Sequence, residues 1–553
     1  MSITDVLRAR PAWVPLVVSL VALTLLGCAN IEATASAARA ASATPTPPTP
    51  TATPSPTAPA PYATTSARTV PLNGRPVGTP QMGRPLSDER VAEILALLLE
   101  REPDPGLLDE AFAEITLARD VRFIAPLIEL MRAGPMQLAE LTQAHIDTLR
   151  ALSGWSPSLS WDRWFEWYGG TTLEPPPGFA TWKGQLLAHL DARYGEMLND
   201  ARPAEIRVEQ IIWGGAMPDA TSPLDDPVFV AGNSDTARYL DPTEPVFGVF
   251  VNGEARAYPL RIMDAHEIVN DTIAGLPVLL AYCTLTGSSA LYDRRAPDGG
   301  TYSFSTSGLI YESNRLMYDR ETESLWNPLT GRPIVGALVD AAGPGAAPWL
   351  DAFPVVTTRW GDWLARHPDT LVLDDDTGRG RGYAPGFPHL EYFASGNTAF
   401  PVSLRDPRQL TKAWVYGLLL DGTPKAFPLR TVLGEQVVND RVADREVVLV
   451  GEGTGRGIRV TGEMPSYGEI RYFAGGAIRA YERPEGVTFA PGPDALSVID
   501  QEGRAWTVDE DGIVSPDGEV APRLYGQLTY WFGWLSAHPT TGLYGPPQPT
   551  STP

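Results

Sequence analysis

The sequence predicts an α+β multidomain chain, an N-terminal all-α domain followed by two tandem β-rich repeat units. Three observations predict it. Leucine-rich stretches with helical spacing are confined to residues 85–205. After Pro203 the pattern changes to short alternating runs broken by turn dipeptides such as Asn252-Gly253 and Asp421-Gly422. A stretch of the β-like part then recurs: residues 247–271 align without gaps on 416–440, with nine identities in 25 positions.

Taken from the N-terminus, residues 1–28 read as a secretory signal. Arg8 and Arg10 precede an apolar run that ends at Leu25-Leu26-Gly27-Cys28. The Leu-x-Gly-Cys ending resembles a bacterial lipobox, which makes Cys28 the expected site of lipidation. The apolar run is short for a spanning helix. Residues 29–84 are rich in Pro, Thr and Ala, cannot bury a core, and are expected to be a disordered tether. In extended form, at ~3 Å per residue, such a tether spans on the order of 100 Å. The expected location is extracytoplasmic, lipid-anchored to the bacterial cell membrane or envelope, with the membrane as partner through the N-terminal lipid. The formal charge of −23 argues against nucleic acid, which binds a cationic face.

Residues 85–205 read as a helical domain. Ser87 is placed to cap a helix whose first turn carries Asp88 and Glu89. Trp161, Trp164 and Trp167 recur at three-residue spacing, and packing against neighbouring helices explains them better than a glycan platform does. The first β-rich unit spans 206–375, a Gly/Pro/aromatic connector spans 376–412, the second unit spans 413–546, and a tail occupies 547–553. Each unit is expected to hold hairpins and one short helix beside its Trp/His-Pro segment, ending at His367-Pro368 and His538-Pro539.

Comparison of the two units isolates candidate chemistry. Asn270, Asp271, Asp319, Trp326 and both His-Pro pairs have counterparts and read as architecture. His266 matches Glu435 and Cys283 matches Glu452, so the imidazole and the thiol belong to the first unit alone. With Ala274 and Gly275 as a two-residue loop, opposed residues have numbers summing to 549, as His266 and Cys283 do. That pairing puts their Cβ atoms about 4.5–5.5 Å apart, and a neighbouring imidazolium favours a reactive thiolate.

Three function classes follow. A thiol-dependent enzyme or redox protein would use Cys283 as nucleophile and His266 as base, with Thr284, Thr286, Gly287 and Ser288 as an anion or oxyanion holder. A copper or zinc protein would use the same Cys283 and His266, with Met263, Asp264 or His389 completing the shell. A non-catalytic surface lipoprotein would bind a partner through its helical domain or connector.

The motifs "GVFVNGEARAYPLRIMDAHEIVND", "YCTLTGSSALYDR", "MYDRETESLWNPLTGRPIVG" and "HPDTLVL" together resemble domain-of-unknown-function family 3179, a bacterial and archaeal family, over about 206–546. The resemblance implies a His at the position of His266 and a Cys at that of Cys283. Many members of the family resemble Cys-Pro-Leu-Cys where this chain has Cys283-Thr284-Leu285-Thr286. The second cysteine is absent here, which removes an obligatory dithiol and leaves a role for a single thiol.

Overall fold

The structure is a computed structural model. It describes residues 80, 82–133, 142–156, 160–339, 350–386, 389–453, 458–461, 469–472 and 476–545. The signal segment 1–28 with Cys28, nearly all of the tether 29–84, and the tail 547–553 lie outside the described residues.

Helices come first, then a β-rich region, as the periodicity predicts. The helix Asp88–Leu97 is capped by the Ser87 hydroxyl, which accepts from Arg90 N at 3.3 Å. Pro105–Ala118 is capped by the Asp104 carboxylate, with Pro105 at the first helical position, where its missing N–H costs nothing. Trp164 and Trp167 of the helix Trp161–Gly169 are buried, edge-on to each other, and Trp155 packs on both. They are core residues of the helical part, as expected. This part is bolted to the sheets by polar contacts as well as by packing. Fully buried Lys183 pairs with Glu129 at 2.8 Å and donates to the carbonyl of Ile211 in the first strand. A buried ammonium is tolerated only when both a counter-charge and acceptors are supplied, as here.

The β-rich part begins with three five-stranded sheets. One holds the hairpin Pro245–Val251 with Glu254–Pro259, turned at Asn252 and Gly253, both with positive φ. Another holds Ile268–Ile273, Leu276–Cys283 and Ser288–Asp293 as consecutive antiparallel strands. From 414 onward a four-stranded and an eight-stranded sheet follow, with Trp414–Leu420 paired to Thr423–Pro428 around Asp421 and Gly422. Inside 453–476, Ile458–Thr461 pairs antiparallel with Glu469–Tyr472.

Residues matched in the sequence make matched contacts. A Cβ added to Gly248 would sit 2.3 Å from the Trp363 ring, and one added to Gly417 would sit 2.3 Å from the Trp534 ring. Each indole can close onto its strand only because glycine leaves that space. Trp363 Nε1 donates to Thr370 Oγ1 at 2.9 Å and Trp534 Nε1 to Thr541 Oγ1 at 2.8 Å. His367 and His538 each lie 4.2 Å from the tryptophan one turn earlier. The amide of Asn270 brackets Phe304 N and O as that of Asn439 brackets Phe489. Asp319 and Asp500 each accept from a tryptophan Nε1, that of Trp326 and of Trp506.

The expected helix beside each Trp/His-Pro segment is present, Trp360–Arg366 and Trp531–Ala537, and among the described residues each β-rich stretch holds a further α-helix that was not expected, Leu260–His266 and Leu429–Glu435. The added helix starts after a proline whose φ is near −60°, Pro259 or Pro428, and runs for seven residues whose apolar positions do not alternate.

Candidate functional site

That helix decides the geometry of the predicted dyad. The hairpin has the expected loop, with Ala274 and Gly275 at φ 45° and 82°, and the expected register, Ile273 opposite Leu276 through Ile268 opposite Ala281. The ladder stops there. Glu267 takes φ 62° and ψ −33°, turning the chain out of the helix and into the strand, and its carbonyl accepts from Tyr282 N at 2.7 Å. His266 is the last residue of the helix and lies off the sheet grid, so it does not oppose Cys283. The cross-strand His266–Cys283 pairing is therefore corrected: a helical residue advances about 1.5 Å and rotates, where a strand residue advances about 3.3 Å and alternates.

His266 has other partners. Its Nδ1 lies 2.7 Å from the carbonyl oxygen of Ser222, which can only accept, so Nδ1 carries the proton. Nε2 then accepts from the Tyr383 hydroxyl at 2.6 Å. Burial pushes the imidazole below its ordinary value, and Arg381 and Arg379 add to that. His266 is thus a neutral, doubly bonded ring tying the connector to the first β-rich stretch.

Cys283 ends its strand and is 1 % exposed. Arg315 N donates to its Sγ at 3.5 Å. The same residue's Nη1 lies 3.0 Å from Oε1 of Glu267, which is 2 % exposed. That contact lacks hydrogen-bond geometry, so Glu267 Oε1 receives no hydrogen bond among the described residues. Glu267 and Arg315 line a small cavity with Thr221, Thr306 and Gly308, with about 20 Å³ of room, the space of one water. Burial raises the Cys283 thiol and the Glu267 carboxylate adds to the rise, against hydrogen bonds from Thr286 and Arg315 N. The expectation of a thiolate stabilised by His266 is corrected accordingly: the sulfur accepts from the backbone N–H of Arg315, and Glu267 is the charge that raises its pKa. Burial also raises Glu267, which Arg315 opposes.

The turn after the thiol, Thr284 to Gly287, is sealed. Thr284, Thr286 and Ser288 are buried. Thr286 Oγ1 and Ser288 Oγ share a hydrogen bond at 2.8 Å. The Thr286 carbonyl accepts from Thr529 Oγ1 at 2.9 Å and from Tyr530 N at 2.8 Å, which ties the turn to the strand Gln527–Tyr530. Gly287 has φ 65°, and a Cβ there would meet the Trp414 ring at 2.5 Å. Tyr392 of the connector roofs the turn by donating to the Leu285 carbonyl, and Lys412 lies 3.6 Å over its ring.

The candidate metal ligands do not assemble. His389 bonds to the backbone carbonyl of Asp264 and lies near Arg315; burial, then Arg315, holds it near pKa 4. Met263 is fully buried in the apolar cluster that also holds Val249 and Leu280. Among the described residues no three His, Cys, Asp or Glu side chains are grouped so as to hold a metal ion. Sequence reasoning missed Glu267, Arg315 and Tyr383. Glu267 had a signal, since it faces Gln436 in the internal alignment; Arg315 and Tyr383, brought in by folding, had none.

The matched place in the second stretch is different chemistry on the same backbone. Gln436 takes φ 63° and ψ −40°, and its carbonyl accepts from Gly451 N at 2.7 Å. Gln436 and Glu435 are exposed. Glu452, in the place of Cys283, bonds Arg479 at 3.0 Å in a buried network with Glu510 and Arg523.

No curated protein and no solved structure matches the chain. The profile described as "Protein of unknown function (DUF3179)" matches residues 218–541, which takes in the thiol, the Glu267–Arg315 pair and both matched stretches. The chain belongs to the DUF3179 family.

Proposed function

We propose that the chain is a lipid-anchored protein of the bacterial envelope that carries out one-thiol chemistry at Cys283 on small reactants. In the ionised form Sγ attacks an electrophilic atom and displaces its leaving group; with a hydroperoxide, sulfur gains the distal oxygen, the O–O bond breaks and alkoxide or hydroxide departs. The observation that carries the reading is the polar setting of the sulfur. The one thiol among the described residues accepts from Arg315 N, and the partly exposed Arg315 side chain pairs with the buried Glu267 carboxylate, a setting expected where a thiol must change charge state. Burial restricts the reactant to a few atoms. The arginine-flanked apolar run ending in Leu-x-Gly-Cys28, with the Pro/Thr/Ala tether, supports the anchor and the extracytoplasmic address. The body reads as a tandem duplication in which the first copy keeps the site and the second has replaced it with a charge network; the paired Gly–Trp, Asn and Asp–Trp contacts support that reading.

The test is modification of Cys283 in the native chain, read on its own peptide by mass spectrometry. Small reagents, iodoacetamide or hydrogen peroxide with dimedone, should label it well below the denaturation midpoint, and a bulky maleimide should not. Labelling that appears only with global unfolding selects a second reading, a non-catalytic surface lipoprotein whose cysteine is core. The packing of Cys283 among Ile212, Leu285 and Ile310 favours that alternative.

A further inference from the structure

A thiol that is 1 % exposed reacts only if something over it moves. We propose that residues 389–400 of the connector are a lid over Cys283, latched by Tyr392 and Lys412, and that small reactants reach the sulfur when it lifts. The inference rests on the proposed function and names how reactants enter its site.

The latch is polar and sits at the middle of the segment. The Tyr392 hydroxyl donates to the carbonyl of Leu285, two residues after the thiol, and its ring packs on the apolar cluster that contains Cys283 and Leu285. Lys412 holds Tyr392 in turn. Its Nζ donates to the carbonyl oxygens of Tyr392 at 2.5 Å and Ser395 at 2.9 Å. It also lies 3.6 Å from the centre of the Tyr392 ring and 5.0 Å from that of Tyr530. The ends of the segment are fixed separately. His389 bonds to the Asp264 carbonyl at one end. At the other, Phe400 N donates to Ser313 Oγ at 3.3 Å, Ser403 N donates to Glu312 Oε2 at 2.8 Å, and Pro401 and Val402 are buried. A lift between two fixed ends makes a narrow opening, which suits reactants of a few atoms.

The lid is the cover that costs least to move. No residue from 389 to 400 is buried, the helix Leu390–Ala394 included. The other covers are core. The strand Gln527–Tyr530 against the turn is buried at every position, and Ile212 and Ile310 lie in strands of the first five-stranded sheet. Displacing any of those exposes apolar core, whereas lifting the lid uncovers half-buried side chains and breaks hydrogen bonds that water replaces. Segments with few buried apolar contacts open at the low end of the free-energy range. The latch also gives the second β-rich stretch a task. Lys412 stands two residues before its first strand and Tyr530 ends the strand Gln527–Tyr530, so the stretch without a thiol helps to close the one that has it.

The experiment takes two readouts from the full chain in detergent: amide hydrogen exchange of the peptide spanning 389–400, and the rate at which iodoacetamide alkylates Cys283. In the native chain the lid peptide should exchange faster than the strand Leu276–Cys283. Alkylation should vary only weakly with denaturant below the midpoint, because a local opening exposes little surface. Tyr392→Phe keeps the ring and removes one neutral hydrogen bond, and should raise lid exchange and alkylation about fivefold each. Lys412→Met removes two bonds from a charged donor and should raise both by about tenfold or more. Rises of equal size are the signature of one opening seen twice. An alkylation rate unchanged in both variants, with or without faster lid exchange, overturns the lid; if the native thiol is alkylated below the midpoint, the thiol function stands. Alkylation below the midpoint in Lys412→Met but not in the native chain keeps the lid and sinks the thiol function. Alkylation that follows global unfolding in all three chains overturns both.

Discussion

Residues 259–283 and 428–452 run the same path: a proline, a seven-residue helix, one residue with positive φ and negative ψ, a strand, a tight turn and a second strand. The registers agree pair for pair, Ile268 opposite Ala281 and Val437 opposite Val450. The surroundings do not agree. In the first stretch helical-part residues, the connector and the last sheet bury His266, Glu267 and Cys283. In the second, Glu435 and Gln436 are exposed and Glu452 is half-buried beside arginines. One backbone therefore supports either a sealed, weakly charged pocket or an open end with an ion network. Which of the two forms depends on what packs against it, a matter of distant segments. Positive φ at both Glu267 and Gln436 marks it as a feature of the shared path, so strain there is not a sign of catalysis.

The comparison can be broken most forcefully at what the two stretches share. Trp363→Ala and Trp534→Ala should each cost about 3–5 kcal/mol, as truncation of fully buried indoles does. Denaturant titration reads the cost, and very unequal losses would show that the matched tryptophans do not hold equivalent cores. Next is the network that replaces the thiol. Arg479→Met leaves buried Glu510 short of a partner and should cost about 3 kcal/mol. Burial alone would push Glu510 up, yet Arg479, His367 and Arg523 hold it well below the usual range. Its contribution is therefore present above about pH 4.3, the unfolded value, and is lost as pH falls from there towards the folded one. Arg479→Met should flatten that acid limb.

A smaller effect separates the stretches by pH. His266 has a lowered pKa, so the unfolded chain takes up its proton first; stability is full above about pH 6.5 and falls as pH drops through that value. His266→Gln should reduce the slope of stability with pH below 6.5 without abolishing it. His145, His389 and His538, each held near pKa 4 by burial, keep a slope of the same sign. A slope unchanged by the substitution would mean that the imidazole is not buried in solution. The smallest effect is the control: Gln436→Glu puts a charge on an exposed position and should change stability by no more than about 0.5 kcal/mol.

Local patterns carried far in this chain. Ser87 and Asp104 cap their helices, Asn252-Gly253 and Asp421-Gly422 turn their hairpins, and Ala274 with Gly275 sets the 549 register, because each rests on residues within four positions of one another. The internal alignment singled out Cys283 and His266 by subtraction, and it held the Glu267/Gln436 difference as well. Subtraction finds what is unlike; it does not say what touches what. A seven-residue helix in place of two more strand residues was enough to take His266 off the ladder, since helix and strand differ in period and strong β-formers on both sides masked the change.

By itself, then, the sequence determined the order of helical and β-rich parts, the hairpins and turns and the matched segments, all short-range consequences of backbone sterics and hydrophobic period. Only the tertiary structure decided that the sulfur meets the backbone N–H of Arg315 while the imidazole meets Ser222 and Tyr383. Those partners lie 32, 44 and 117 residues away along the chain. Contacts at that separation arise from how whole sheets and connectors stack to bury apolar area, a sum over many residues that no local spacing encodes.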